Sequence, residues 1–105
     1  MEGQTFDRDT GIQVVIASLC DVFDLIDEPV PATLDENTVI VGDGAVLDSL
    51  GVVSLIVEIE QRLEQEYEVA VTLASERAMS QRSSPFRTVG VLADYMVTTI
   101  EEDGA

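Results

Sequence analysis

The spacing of apolar and polar residues along the 105-residue chain predicts a helical protein. After a short polar start, apolar residues recur every three or four positions while acids fall on the other face, which is typical of an amphipathic helix. We predict this helix over residues 9–26, with Asp9 or Thr10 as its cap. The prolines of DEPVPA end it, because each disfavours helix at the preceding residue. The predicted inward residues are Ile12, Val15, Ile16, Leu19, Val22, Phe23 and Ile26.

A second helical pattern follows the stretch GAVLDSLG and covers residues 49–66. Asp48 is the natural N-cap, so Ser49 lies in the first turn, beside unpaired backbone N–H groups and the positive end of the helix dipole. Glutamates line much of the surface. The predicted inner positions are Val52, Leu55, Ile56, Ile59 and Leu63, and Leu50, Val53 and Val57 widen the apolar face on one side.

The rest of the chain supplies a long connection and two further helices. Residues 27–47 form the connection, which Leu34 and residues 39–41 should hold against the core. Thr72 can cap a short helix over residues 73–79, and Thr88 a last helix that ends near Ile100. The inward residues of that last helix are Val89, Leu92, Ala93, Met96 and Ile100.

These elements predict an all-α fold in a single domain. It is a four-helix bundle with three longer helices, one short helix and a long loop between the first two. We expect residues 9–100 to be ordered, and residues 1–8 and 101–105 to be flexible.

Composition excludes several functions. The formal charge is −16, from 21 acids against five arginines, with no Lys and no His. Such a chain will not neutralise nucleic-acid phosphates, and it should meet basic protein surfaces or stay a monomer. No imidazole is present as base or metal ligand. A calcium-loop spacing at Asp35 and Asn37 fails because Val39 takes the third ligand position. We therefore expect neither an enzyme nor a metal site.

Location follows from other absences. One cysteine, Cys20, cannot form an internal disulfide, which fits a reducing cytoplasm; its place in the helical pattern suggests a buried small hydrophobe. No apolar run is long enough to span a membrane, and the first residues lack the pattern of a signal peptide.

Ser49 admits three interpretations. As a nucleophile it would need a base, and only Asp48 and Asp43 lie near it in sequence. As a capping residue it would be ordinary. As an acceptor of a phosphate group from another enzyme it needs no base of its own, and a phosphodiester suits a helix N-terminus. Gly51 costs the helix about 1 kcal/mol against Ala, so it either admits a close approach or reflects drift in a tolerant first turn.

The segment LDSLGVVSLIVEIEQRLEQEYEV resembles the prosthetic-group motif of acyl carrier proteins and related phosphopantetheine-carrying domains. In that family an Asp-Ser-Leu opens the second helix, as Asp48, Ser49 and Leu50 do here. Glu60 and Tyr67 match a frequent Glu and an aromatic residue late in that helix. FRTVGVLADYM is similar to the start of the family's last helix, and the likeness covers about residues 9–100.

The resemblance implies a carrier without catalysis of its own. Ser49 would receive 4′-phosphopantetheine from coenzyme A through a phosphopantetheinyl transferase. A loading ligase or acyltransferase would then add an acyl group as a thioester, and downstream synthase or transferase enzymes would use it. The residues implied at the cofactor are Ser49, Asp48 and Leu50, and those implied at partners are Leu50, Val53, Glu58 and Glu60.

Several positions depart from the family pattern. Gly51 and Ser54 stand where fatty-acid carriers often have acids, and the connection before the last helix is longer. It holds Arg77, Arg82 and Arg87, which either pair with the protein's own acids or serve a partner or the arm's phosphate, with Arg82 and Arg87 the candidates. These departures are typical of a specialised stand-alone carrier. An aminoacyl or peptidyl carrier, an unmodified acidic helical adaptor and a small hydrolase are the alternatives.

Overall fold

A computed structural model describes residues 6–42, 44–70, 73 and 86–104, with the backbone alone at residues 49 and 102–104. Its described part is all-helical, with three helices and one isolated bridge between Val39 and Thr88. We name the helices α1 (Arg8–Leu25), α2 (Ser49–Tyr67) and α3 (Val89–Gly104). The predicted short helix over residues 73–79 and its cap Thr72 fall outside the described residues, except for Leu73.

The start of α1 lies earlier than the sequence suggested. The N-cap is Asp7, not Asp9 or Thr10, because the Asp7 carboxylate accepts the Thr10 N–H at 2.9 Å. This bond, made to the ionised form, lowers the pKa of Asp7 below its usual 3.8. The ring of Phe6 packs edge-on against Tyr67, with ring centroids 5.2 Å apart. Phe6 and Asp7 thus take part in the fold ahead of the predicted start at residue 9.

The core lies between α1 and its two partners, since α1 packs against both α2 and α3. α1 and α3 approach closely at Gly11, where a Cβ atom would lie 3.1 Å from Ala93 Cβ. This contact explains a glycine inside a helix. The buried apolar residues include Val15, Leu19 and Val22 from α1, Leu55, Ile59 and Leu63 from α2, and Val89, Leu92 and Met96 from α3.

The long connection is bonded to the start of α3. The Ile40 and Val41 N–H groups donate to the Arg87 carbonyl at 2.7 and 3.3 Å. In return, the Val89 N–H donates to the Thr38 carbonyl at 3.1 Å, and the Gly90 N–H donates to the Glu36 carbonyl at 2.8 Å. Ile40 is fully buried, and Leu34 and Val41 pack against the core, which confirms the predicted anchors.

Leu73 links α2 to α3. Its side chain is fully buried, its N–H donates to the Glu60 carboxylate at 2.7 Å, and its carbonyl accepts the Tyr95 hydroxyl at 3.0 Å. Tyr95 in turn packs edge-on against Phe86. A single residue of the second connection therefore contacts both helices.

Some predicted positions differ in the structure. Ile26 was expected in the core but is exposed, because α1 ends at Leu25 and the chain turns through Asp27 at φ 59°. Val14 is buried although the pattern omitted it, and Cys20 is only half-buried. Helix α3 extends to Gly104, four residues past the predicted end.

Two features are absent from the described residues. None of their helices is long and apolar enough to cross a bilayer. Nor do they bring together three or more side chains of the types that ligate metals.

Candidate functional site: the start of α2

Asp48 sets the start of α2. Its backbone is extended, its carboxylate oxygen Oδ1 accepts the Gly51 N–H at 2.9 Å, and its carbonyl accepts the Val52 N–H at 2.9 Å. The prediction that Asp48 is the N-cap is confirmed, and residue 49 is the first residue of the helix. None of the described residues accepts the N–H of Leu50, which is a donor of the first turn of α2.

The two residues directly before Asp48 are fixed by a hydrogen bond and by burial in the core. Val46 N–H donates to the Val39 carbonyl at 3.0 Å, and Leu47 is buried in the core. A Cβ on Gly51 would lie 3.0 Å from both Cβ and Cδ2 of Leu47. Gly51 therefore makes room for Leu47, which agrees with the reading that this glycine admits a close approach, and the approaching side chain belongs to the chain itself.

The outer face of α2 begins with an apolar stripe, which we define as Leu50, Val53 and Val57. All three side chains are exposed, and Leu50 is the most exposed at 78%. Their spacing of three and four residues places them on one face of the helix. The other apolar residues of the helix behave as predicted: Leu55, Ile56, Ile59 and Leu63 are buried, and Val52 is half-buried against the core.

Charge divides α2 into two halves. Residues 49–57 hold no ionisable side chain, and every charged residue of the helix lies between Glu58 and Glu66. The first half of α2 is therefore uncharged beside the helix start, and the acids of the helix begin in its second half. Asp48, exposed at the cap, is the one carboxylate directly before the stripe in the chain.

The residues predicted to contact a partner differ in solvent exposure and in their hydrogen bonds. Leu50 and Val53 are exposed, while Glu58 is half-buried. Glu60 is half-buried and accepts the Leu73 N–H, so its carboxylate already has a structural role. Its proposed role at a partner stays a prediction.

Two arginines that were not singled out from the sequence, Arg8 and Arg62, form ion pairs in the described fold. Arg8 bonds Asp94 at 2.8 Å and Glu36 at 3.5 Å, and Arg62 pairs with Asp21 and with Glu66. The Arg62 guanidinium also donates to the buried Ser18 hydroxyl at 3.3 Å. Helical periodicity could have placed Arg62 four residues before Glu66, but the contacts across helices carry no local signal.

Of the three arginines singled out in the second connection, one is described. Arg87 is exposed, and its carbonyl accepts two N–H groups from the long connection. Arg77 and Arg82 lie outside the described residues. The role of all three stays a prediction.

Comparison of the chain with models of protein families, with curated proteins and with solved structures finds no match. The chemistry of the site must therefore be argued from its own residues. Among the described residues, the start of α2 combines an N–H group without an acceptor and an exposed apolar face, and a helix start of this kind can bind an anion.

Proposed function

We propose that this chain is a carrier whose Ser49 holds 4′-phosphopantetheine and presents an acyl group to partner enzymes. The observation that carries the proposal is the cap at Asp48. It occupies the Gly51 N–H, makes residue 49 the first of α2 and leaves the Leu50 N–H without an acceptor among the described residues. A helix start of this kind favours a phosphodiester.

The residues around Ser49 fit the prosthetic group. Leu50 next to it is exposed, and residues 49–57 contain no carboxylate that would repel a phosphate. Leu47 and Gly51 pack tightly beneath, so the start of α2 is held in place. When bound, the group supplies a terminal thiol that holds the cargo as a thioester.

The chain's own residues then perform positioning alone. Asp48 holds the first turn, the Leu50 N–H would serve as a donor to a phosphate oxygen, and the buried residues of α2 keep the helix fixed in the core. The transferase supplies the base that deprotonates Ser49, which suits a chain without His or Lys. We extend the proposal to the fold: a four-helix bundle of acyl-carrier type, with its short helix between α2 and α3.

Partner recognition follows from the two halves of α2. The apolar stripe lies beside the attachment point, so we expect a partner to bury Leu50 and Val53 at the centre of the contact. The acids of the second half then attract basic residues at the rim, where charge mainly speeds encounter. This arrangement differs from a helix that carries acids beside the serine.

The direct test is modification of the purified chain. Incubation with a promiscuous phosphopantetheinyl transferase and coenzyme A should add the mass of one phosphopantetheine by intact mass spectrometry. Ser49→Ala should abolish the gain, whereas Ser54→Ala, which alters another serine of the same helix, should keep it. No gain in the native chain, or a gain that survives Ser49→Ala, would reject the proposed site.

The alternatives give different results. An aminoacyl or peptidyl carrier would accept amino acids and not fatty acids once modified, which loading trials with adenylating ligases separate. An unmodified adaptor would use the same apolar stripe and would carry no added mass when isolated from its native host. A hydrolase would react at Ser49 with a serine-directed probe in the pure chain.

A further inference from the structure

A second surface, at the end of α1, points to another partner. Leu25, Ile26 and Val30 are exposed there, with Leu25 at 69%. Three exposed acids lie among them in the chain, at Asp24, Asp27 and Glu28. We call these six residues the α1-end patch. It involves none of the residues assigned to the Ser49 site.

The acids of this patch do not stabilise the helix. Carboxylates near a helix C-terminus oppose the dipole, and the last turn of α1 has no basic residue. Asp27 also adopts the left-handed conformation at φ 59°, which glycine takes at lower cost. Local stability would therefore favour glycine or a basic residue at positions where the chain has carboxylates.

Helix α2 also ends at a residue of positive φ, and there the residue that follows is apolar and packs against the core. Glu68 adopts φ 56°, and the Val69 N–H donates to the Leu63 carbonyl at 3.1 Å. At α1, the Glu28 N–H also follows a residue of positive φ and donates to the Phe23 carbonyl at 2.9 Å, one residue nearer in the chain than the acceptor of Val69. Such turns often place an apolar residue over the last turn of the helix. Val69 packs against the core in this way, whereas Glu28 holds the equivalent position in α1 and is exposed.

Prolines make the exposed segment stiff. Pro29 and Pro31 flank Val30, and each restricts both its own backbone and that of the residue before it. A segment already limited in conformation loses less entropy when it is bound. The patch is thus suited to recognition without rearrangement.

The charge of the chain indicates which kind of partner binds the α1-end patch. A second copy of this chain would bring equal acids against the patch, and the formal charge of −16 opposes such pairing. An anionic lipid surface is disfavoured for the same reason. We propose that the α1-end patch binds a basic amphipathic helix of a partner protein, whose apolar side chains cover Leu25, Ile26 and Val30 while Lys or Arg face the acids.

The test uses the full, unmodified chain labelled with ¹⁵N, so its result does not depend on the Ser49 proposal. The probe is a synthetic amphipathic helix of about 14 residues, built from Leu and Lys at helical spacing. Titration followed by NMR should shift the amides of residues 24–28 and 30 most. Leu25→Ser with Ile26→Ser should weaken binding about tenfold, the loss expected when an apolar anchor is removed.

Matched controls separate this patch from general attraction to an acidic protein. Val91→Ser alters an α3 side chain that is 41% exposed, as Ile26 is, and should leave affinity unchanged. Asp24→Asn and Asp27→Asn, each made singly, should weaken binding more than Glu101→Gln, which removes one exposed acid near the end of α3. Equal losses in patch and control variants, shifts centred on the apolar stripe of α2, or no saturable binding would each overturn the proposal.

Discussion

The first turns of α2 and α3 both begin with backbone N–H groups that have no partner within their own helix. The two helices differ in which of these groups are accepted by other residues. In α3 the N–H groups of Val89 and Gly90 donate to loop carbonyls, and the Val91 N–H donates to the Thr88 hydroxyl at 3.2 Å. In α2, Asp48 takes the Gly51 N–H, and no described residue takes that of Leu50.

The bonded contact between the long connection and the start of α3 forms a joint. The start of α2 has no such contact with the described residues on its outer face. The carbonyls of Glu36 and Thr38 reach α3 because Ile40 anchors the long connection in the core. Arg8 strengthens the joint by bonding both Glu36 and Asp94. The start of α2 has support beneath it, through Leu47, but no segment of the described chain covers its outer face. Of these two helix starts, only that of α2 combines, among the described residues, an N–H group without an acceptor and exposed apolar side chains.

The largest expected effect comes from removing the anchor of the joint. Ile40→Ala should lower the free energy of unfolding by about 2–5 kcal/mol, because it leaves a cavity in the core. Amide hydrogen exchange at Val89 and Gly90 should rise beyond the general loss of stability, whereas exchange at Gly51 should follow the general loss only. Chemical denaturation and hydrogen exchange by NMR measure the two effects.

Val30→Ala is the matched control for this experiment. Val30 lies in the same connection but is exposed, so its truncation should change stability by no more than about 0.5 kcal/mol. If Ile40→Ala left Gly90 as protected as the rest of α3 and exposed Gly51 instead, the connection would not be what closes the start of α3.

A smaller effect distinguishes the two caps. Asp48→Ala should cost about 0.5–2 kcal/mol, since it removes the side-chain acceptor of a half-buried bond from the buried Gly51. Thr88→Ala should cost less, because the Val91 N–H is exposed to water and the loop carbonyls still hold the start of α3. Thermal unfolding of the two variants gives the comparison.

Asp48→Asn is the control for the cap. Asn caps as well as Asp, so this variant should keep most of the stability that Asp48→Ala loses. A loss in Thr88→Ala equal to or larger than that in Asp48→Ala would show that the loop carbonyls contribute little to α3.

Sequence periodicity predicted those features of the helix starts that depend only on neighbouring residues. Helix α2 and its cap at Asp48 follow from apolar spacing and from one acid placed directly before it. The cap of α1 was wrong because Asp7, Asp9 and Thr10 are all capping residues within four positions, and only the folded start selects Asp7.

What sequence could not supply is contact between distant segments. The loop carbonyls at α3 and the bond from Leu73 to Glu60 join residues far apart in the chain. Leu47 and Gly51 are near in sequence, but their packing depends on the burial of Leu47 in the core. Gly51 shows the consequence: its cost to the helix was visible in the sequence, but its cause was not. The same limit applies to the α1-end patch, where Ile26 was expected in the core.

The smallest expected effect concerns pH, and it extends the comparison to the start of α1. There the cap is a carboxylate, whereas α3 is capped by the hydroxyl of Thr88, which does not titrate. Because the folded-state pKa of Asp7 lies below its unfolded value of 3.8, its stabilising contribution is complete above pH 3.8 and is lost as pH falls through the lowered pKa. The Thr10 amide should therefore shift at a midpoint below pH 3.8, as NMR titration can measure, while the Val91 amide shows no such step. Asp7→Asn keeps a capping side chain without the charge and should abolish the step at Thr10; a midpoint at or above 3.8 in the native chain would contradict the assigned role of Asp7.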